Sequence, residues 1–220
     1  MIKKTLLTTV FLCLMVISLS AQQKFRFSFV AAPQIGWLNS SDHSIEENKA
    51  RFGFSFGIEG DIFLDQENRY SLLTGIQLSS MGTKQIYTED KTINDEVVAK
   101  GEQVKLEYKY LEVPLSIRLR SGQRHRSIFY AQFGLTNWIN IGSSVENETK
   151  TLNGEDIKDD LTLFNMGYNV GGGLEYDLGG RNALNIGVVY QNGFLDTTKK
   201  DSFIKNTSLR NIRLNLAFIF

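Results

Sequence analysis

Cysteine is nearly missing from this 220-residue chain: its single copy, Cys13, lies in the middle of an apolar run near the start. No disulfide framework can be built, and Cys13 lacks the small residues that precede a lipidated cysteine. Histidine is scarce too, with only His43 and His125, so a histidine-based zinc site within one chain is not expected. Prolines number two and the formal charge is zero. No clustered Lys and Arg suggest a nucleic-acid partner, which phosphate contacts would require. No stretch reaches the roughly 20 apolar residues of a membrane-spanning helix.

The start of the chain reads Met1-Ile2-Lys3-Lys4, then an apolar run from Leu6 to Leu19, then Ser20-Ala21 before Gln22-Gln23. A basic segment, an apolar segment and small residues near a cut predict a cleaved secretory signal peptide over residues 1–21, with cleavage after Ser20 as the alternative. Its removal takes away Lys3 and Lys4 and leaves a mature net charge of about −2. Residues 22–220 are then one domain.

Glycine and aromatic residues are plentiful, and the apolar positions repeat with period two. Eight alternating segments are predicted at about 24–37, 51–65, 69–81, 104–120, 126–141, 164–178, 182–192 and 208–220, each long enough for a tilted spanning strand. In the last, Ile212, Leu214, Leu216, Phe218 and Phe220 share one face against Asn211, Arg213, Asn215 and Ala217. In the fourth, Leu106, Tyr108 and Tyr110 lie on the opposite parity from Leu111 onward. This predicts either a β-bulge or the point where the strand leaves the bilayer. Pro114 removes a ladder donor and is expected at a bulge or irregularity.

The connections separate membrane from water. Tight turns at 65–68, 121–125 and 179–182 alternate strictly with long polar links at about 38–50, 82–103, 142–163 and 193–207. All tight turns then fall at one end, as in outer-membrane barrels with short periplasmic turns. Residues 86–87 and 104–110 are further candidates for a hairpin rising above the membrane. The predicted fold is an all-β, eight-stranded antiparallel up-and-down transmembrane barrel in the cell outer membrane, with its apolar face on lipid. Trp37, Tyr70, Tyr176 and Tyr190 are expected at the interfaces. The alternative is a soluble lipocalin-like carrier with the apolar face inside. The glycines Gly53, Gly57, Gly75, Gly134, Gly167, Gly171, Gly173 and Gly187 fit a narrow lumen better than a wet exterior.

The run Lys109-Tyr110-Leu111-Glu112-Val113-Pro114-Leu115 resembles the Tyr-Leu-Glu-Ile/Val-Pro-Leu strand of the PorT-like outer-membrane β-barrel domain proteins of Bacteroidota. Gly171-Gly172-Gly173-Leu174-Glu175-Tyr176 and the terminal Phe220 extend the resemblance over the mature chain. It implies insertion by the barrel-assembly machinery, and, for a subset of that family, a tie to type IX protein secretion.

Candidate chemistry is thin. Lumen parity places Arg26, Arg118, Arg120 and Arg213 beside Glu59, Asp61, Glu112, Glu175 and Asp177. An eight-stranded barrel holds side chains but no aqueous channel, so these charges are expected to pair. His43, between Asp42 and Ser44 in the first long link, is the one candidate for an outer-leaflet lipid-modifying enzyme, although a working triad needs residues converging from separate segments. His125 reads as a turn residue. Asn153–Asp160 is oxygen-rich without the spacing of an EF-hand, and reads as a solvated acidic loop. Gly171–Gly173 precedes no helix and is no phosphate loop. No catalytic, cofactor-binding or metal residue is assigned and no cofactor is expected. The expected partners are outer-membrane lipid and a protein of the envelope or of secretion.

Overall fold

The period-two alternation folds as it reads. A computed structural model describes residues 25–40, 45–93, 96–199 and 207–220. Eight long strands carry the architecture: β1 (Phe25–Ser40), β2 (Ile45–Phe63), β3 (Tyr70–Tyr87), β4 (Gln103–Arg120), β5 (Ser127–Asn147), β6 (Phe164–Gly179), β7 (Asn182–Gly193) and β8 (Thr207–Ile219). Each is antiparallel to its chain neighbour, and β1 pairs with β8 from Ser28↔Ile219 to Ser40↔Thr207, which closes the sheet into a barrel. Closure leaves the lipid-spanning wall without a sheet edge, as a hydrocarbon environment requires. The signal-peptide residues and His43 lie outside the described residues.

Parity decides which solvent each face meets. On β8 the odd positions from Thr207 to Ile219 are buried, while Ile212, Leu214, Leu216, Phe218 and Phe220 face out. The same holds around the ring: Phe27, Phe52, Ile76, Phe129 and Ile186 point outward, and Phe52 is 69% exposed. A continuous belt of this kind is far larger than the apolar patches a water-facing protein carries. It is a lipid-facing surface, and the lipocalin-like arrangement, with its apolar face inward, is inverted here. Tyr70 and Tyr176 mark the belt toward the tight turns, and Trp37, Tyr168, Tyr190 and Phe194 mark it toward the long links.

The tight turns use the chemistry their sequence offers. Asn68 and His125 adopt φ of 58° and 56°, and Gly179 and Gly180 φ of 101° and 69°. The carboxylate of Asp65 accepts the backbone N–H of Arg69 and Tyr70 at 3.0 and 2.9 Å, closing the first turn. His125 is the turn residue expected of it.

Two expectations need correction, and one of the two readings of the phase slip is selected. The phase slip is not a bulge in β4, whose even positions point inward without a break from Val104 to Arg120. The outward positions of β4 instead change from Leu111 and Val113 to Lys105, Glu107 and Lys109, so the strand has left the lipid there. The bulge sits opposite, on β5: Lys109 pairs with Gly142 and Tyr110 with Asn140, leaving Ile141 unpaired. Pro114 causes no irregularity. Its β3 ladder passes from Thr74↔Leu115 to Gln77↔Glu112 with a gap and no shift, because only the missing donor is lost. Pro33 leaves the same kind of gap between Ala31↔Leu216 and Gln34↔Arg213.

The second correction concerns the long links. β3 reaches Tyr87, β4 starts at Gln103, and β5 runs on to Asn147, so β2 to β5 rise well past the lipid-facing belt. The rising hairpin anticipated at 86–87 and 104–110 is present. A small hairpin of Lys91–Ile93 and Glu96–Val98 tops it, and Asn153–Asp156, read as loop, pairs with Ser144–Glu146 of β5. The other side of the barrel stays low, with β1 ending at Ser40 and β7 at Gly193.

Candidate functional site

The barrel interior has two storeys of different chemistry. In the lower storey, toward the tight turns, Arg120 donates from Nε to Glu175 Oε1 at 2.9 Å and lies 2.7 Å from Asp61 Oδ2 through Nη2. Arg26 Nη2 reaches Glu175 Oε2 at 2.7 Å. Arg118 donates to Asp61 at 3.1 Å and to Gln132 at 2.8 Å, and its Nη2 stands 3.6 Å from Glu59. Ser71 bridges the centre, donating to Asp61 and accepting from Arg120, each at 2.7 Å.

Aromatic faces take up the remaining guanidinium surface. Arg26 and Arg120 lie 5.2 and 4.9 Å from the Phe63 ring centre, and Arg118 lies 4.7 Å from that of Tyr130. Tyr130 fits because Gly173 and Gly187 leave it room: a Cβ at Gly187 would overlap its hydroxyl oxygen.

The network climbs without a break. Gln77 donates to Glu59 at 2.9 Å and accepts from Arg213 at 3.3 Å, and Arg213 Nη2 holds Glu112 at 2.5 Å. Glu112 also accepts from Gln191 at 2.8 Å and from the Trp138 indole at 3.3 Å. Arg26, Arg118, Arg120 and Arg213 thus balance Glu59, Asp61, Glu112 and Glu175, as lumen parity predicted. Asp177 does not join them; it accepts the Gly179 N–H at 2.7 Å and serves the turn. Desolvating a charge costs several kcal/mol, so each carboxylate depends on its arginines.

Above Glu112 the interior turns apolar. Leu38, Met81, Tyr87, Val104, Leu106, Tyr108, Tyr110, Trp138, Val145 and Leu209 pack into one cluster with Ile93, Val98, Leu152, Ile157 and Leu161. The last five come from the long links, and each buried side chain of this kind contributes about 1.5–3 kcal/mol. Sequence reading missed this storey. The parity change at Leu106–Tyr110 was its signal, because apolar residues that leave the lipid face can only turn inward.

Polar clasps hold the links to each other. Glu102 accepts from Thr149 N–H at 3.1 Å and Thr149 hydroxyl at 2.7 Å, joining the β3–β4 link to the β5–β6 link. Slight burial raises the Glu102 pKa, but these bonds and one from Ala99 outweigh it and hold the carboxyl below its ordinary range. Thr162 donates to Thr197 at 2.9 Å and Lys199 to Asp160 at 2.9 Å, which ties in the β7–β8 link. The described parts of these three links therefore form a folded cap. Among the described residues no group of His, Cys, Asp and Glu is arranged to hold a metal ion.

Comparison with known proteins adds three solved structures. Neisserial surface protein A is 16% identical, with 88% of this chain and 95% of that one covered at a TM-score of 0.47. Ail, the attachment invasion locus protein of Yersinia pestis, is 11% identical over 90% and 99% of the chains, with a TM-score of 0.43. OprG from Pseudomonas aeruginosa is 12% identical over 89% and 94%, with a TM-score of 0.39. No curated protein matches the sequence. Residues 20–199 match the sequence profile described as outer membrane protein beta-barrel domain.

Proposed function

Since the chain belongs to the outer membrane protein β-barrel domain family and resides in the outer membrane, we propose that it is a closed, non-enzymatic barrel whose folded outer cap docks a protein of the envelope or of its secretion apparatus. One observation carries this reading. The described parts of the β3–β4 and β5–β6 links are packed over a shared apolar core and clasped to each other and to the start of the β7–β8 link, so the surface they present is already ordered. A pre-ordered surface avoids much of the entropy cost of association. The barrel beneath holds the cap at a fixed height above the lipid.

The non-enzymatic part rests on the lumen. Its buried carboxylates are held by arginines and amides, so none is free to act as a general base. Kinship with the PorT-like branch is part of the same proposal. Within its motif, Tyr110 lines the apolar storey, Glu112 anchors Arg213, and Pro114 sits at the ladder gap. Three neighbouring positions thus serve the seam between the two storeys.

The test is site-specific photo-crosslinking in cells. A crosslinker replacing Val97, which is 63% exposed on the cap hairpin, is expected to give a discrete protein adduct. One replacing Gln123 in a periplasmic turn is expected to give none of the same mass. Absence of any adduct from Val97 and from a second cap position, Glu155, would remove the docking reading.

A further inference from the structure

Between the lipid-facing belt and the cap, cross-strand register sorts the outer wall of β2 to β5 into rows of different chemistry. The highest row that is apolar throughout is Phe56, Leu78, Leu111 and Ile139, each paired with the next. One row higher stand Phe54, Ser80, Lys109 and Gly142 in register. Two rows above that stand Lys49, Lys84, Lys105 and Glu146. Three lysines are thus directly opposite one another on three adjacent strands, with neighbouring backbones about 4.8 Å apart. Like charges placed this way repel and destabilise a sheet. Glu146 relieves Lys105 only in part, from 3.6 Å and with both side chains a third or more exposed. Lys84 stands in the middle, half-buried, and among the described residues neither it nor the exposed Lys109 forms an ion pair.

A bulge on β2 builds this face. The register shift between Ala50 and Phe54 inserts one residue there, so Arg51 and Phe52 both turn outward and Lys49 keeps the outer side above them. Arg51 then crosses β3 and donates to Glu107 of β4 at 2.9 Å. Glycine at position 82 permits the crossing, because a Cβ there would lie 3.2 Å from Arg51 Cδ and overlap the Leu106 carbonyl oxygen. Ser80 also donates to Glu107, at 3.2 Å. The one described carboxylate between the two lysine rows is therefore already held, and the small residues Ser80, Gly82 and Gly142 form a floor ringed by Lys84, Lys105 and Lys109.

Height selects the occupant. Lys109 follows directly on the apolar row, and Lys105 is four residues further, about 14 Å along the strand or about 10 Å of height at the usual tilt. The polar layer of a phospholipid leaflet is only roughly 5–8 Å deep. A headgroup that meets both lysine rows is taller than that and anionic. We propose that this face holds a phosphorylated glycolipid of the outer leaflet, its acyl chains against Phe56, Leu78 and Leu111 and its sugar-borne phosphate among Lys84, Lys105 and Lys109. The site lies on the wall below the cap and does not rest on the docking reading.

The experiment is native mass spectrometry of the folded barrel in detergent, titrated with diphosphoryl lipid A. Parallel titrations use the same lipid stripped of both phosphates and dioleoylphosphatidylglycerol. The wild type is expected to retain one lipid A about tenfold more firmly than either comparison lipid. Lys84→Gln is expected to weaken that retention about fivefold, and Lys84→Gln with Lys109→Gln about twentyfold, as the loss of one and two cations at a lipid surface does. Lys84→Arg is expected to retain it, and Arg124→Gln, in a periplasmic turn, to leave it unchanged. Without lipid, Lys84→Gln is expected to keep its folded gel mobility to at least the wild-type temperature, since it removes two like-charge oppositions. That measurement separates lost binding from lost folding. Equal retention of the phosphorylated and stripped lipids, or of lipid A by the wild type and the double variant, would overturn the site. Phosphatidylglycerol held as firmly as lipid A would overturn the glycolipid assignment. Displacement of lipid A by an equal concentration of inorganic phosphate would overturn the lipid assignment in favour of a free anion.

Discussion

At the scale of single residues, the lower storey is held by charges that cannot be removed one at a time. Arg120 serves Asp61, Glu175 and Ser71 together, with its side chain only 2% exposed. Arg120→Met is expected to leave two carboxylates short of a partner and to cost about 3–5 kcal/mol. The measurement is a urea titration of the barrel refolded into lipid vesicles, scored by gel mobility. The pair Arg120→Met with Glu175→Met is expected to recover part of that loss, since it removes both ends of a buried contact. Equal stability of the single variant and the wild type would contradict the network described. These residues were legible in the sequence because an inward Arg on a half-apolar strand has nowhere else to go. Asp177 was misplaced by the same rule, since parity says nothing about a neighbouring glycine N–H that can claim a carboxylate in a turn.

At the scale of elements, the eight strands were legible from alternation alone, and their ends were not. Alternation identifies a strand only where the two sides meet different solvents. Above the lipid, β4 carries Lys105, Glu107 and Lys109 outside and Leu106, Tyr108 and Tyr110 inside, which inverts the pattern relative to the segment from Leu111 on. A reader following the apolar parity sees a slip where the strand is straight. The true slip, at Ile141 on β5, was hidden because Ile139 and Ile141 continue the outward apolar series before the parity changes at Ser143. Deleting Ile141 is therefore expected to be tolerated, because Asn140 and Ser143 keep their inward faces. Deleting Leu135 is expected to abolish folding, because Thr136, Trp138 and Asn140 would turn toward lipid. Yield of the heat-modifiable form separates the two outcomes, and equal yields would contradict the bulge assignment.

At the scale of the whole molecule, two differently filled storeys stand in one tube. Either alone blocks passage. Planar-bilayer recordings of the pure barrel are expected to show no steady conductance. Replacing residues 88–102 with a short turn is expected to leave it silent, because the arginine–carboxylate storey remains. Large stable steps from the intact barrel would contradict a filled lumen. The apolar storey and its cap were the part of the molecule not legible in advance. The links bring it Ile93, Val98, Leu152, Ile157 and Leu161, of which all but Val98 stand between polar neighbours, so no local period announces them and only tertiary packing gathers them.

The seam between the storeys has an optical consequence. Trp138 is fully buried there, its indole donating to Glu112, while the other tryptophan, Trp37, stands on the outward parity of β1. The two indoles thus sample separate surroundings within one chain. Brominated acyl chains quench the outward fluorophore and spare the inner one, so the residual emission reports on the seam alone. The barrel carries its own pair of dyes, one for its seating in the bilayer and one for the closure of its interior.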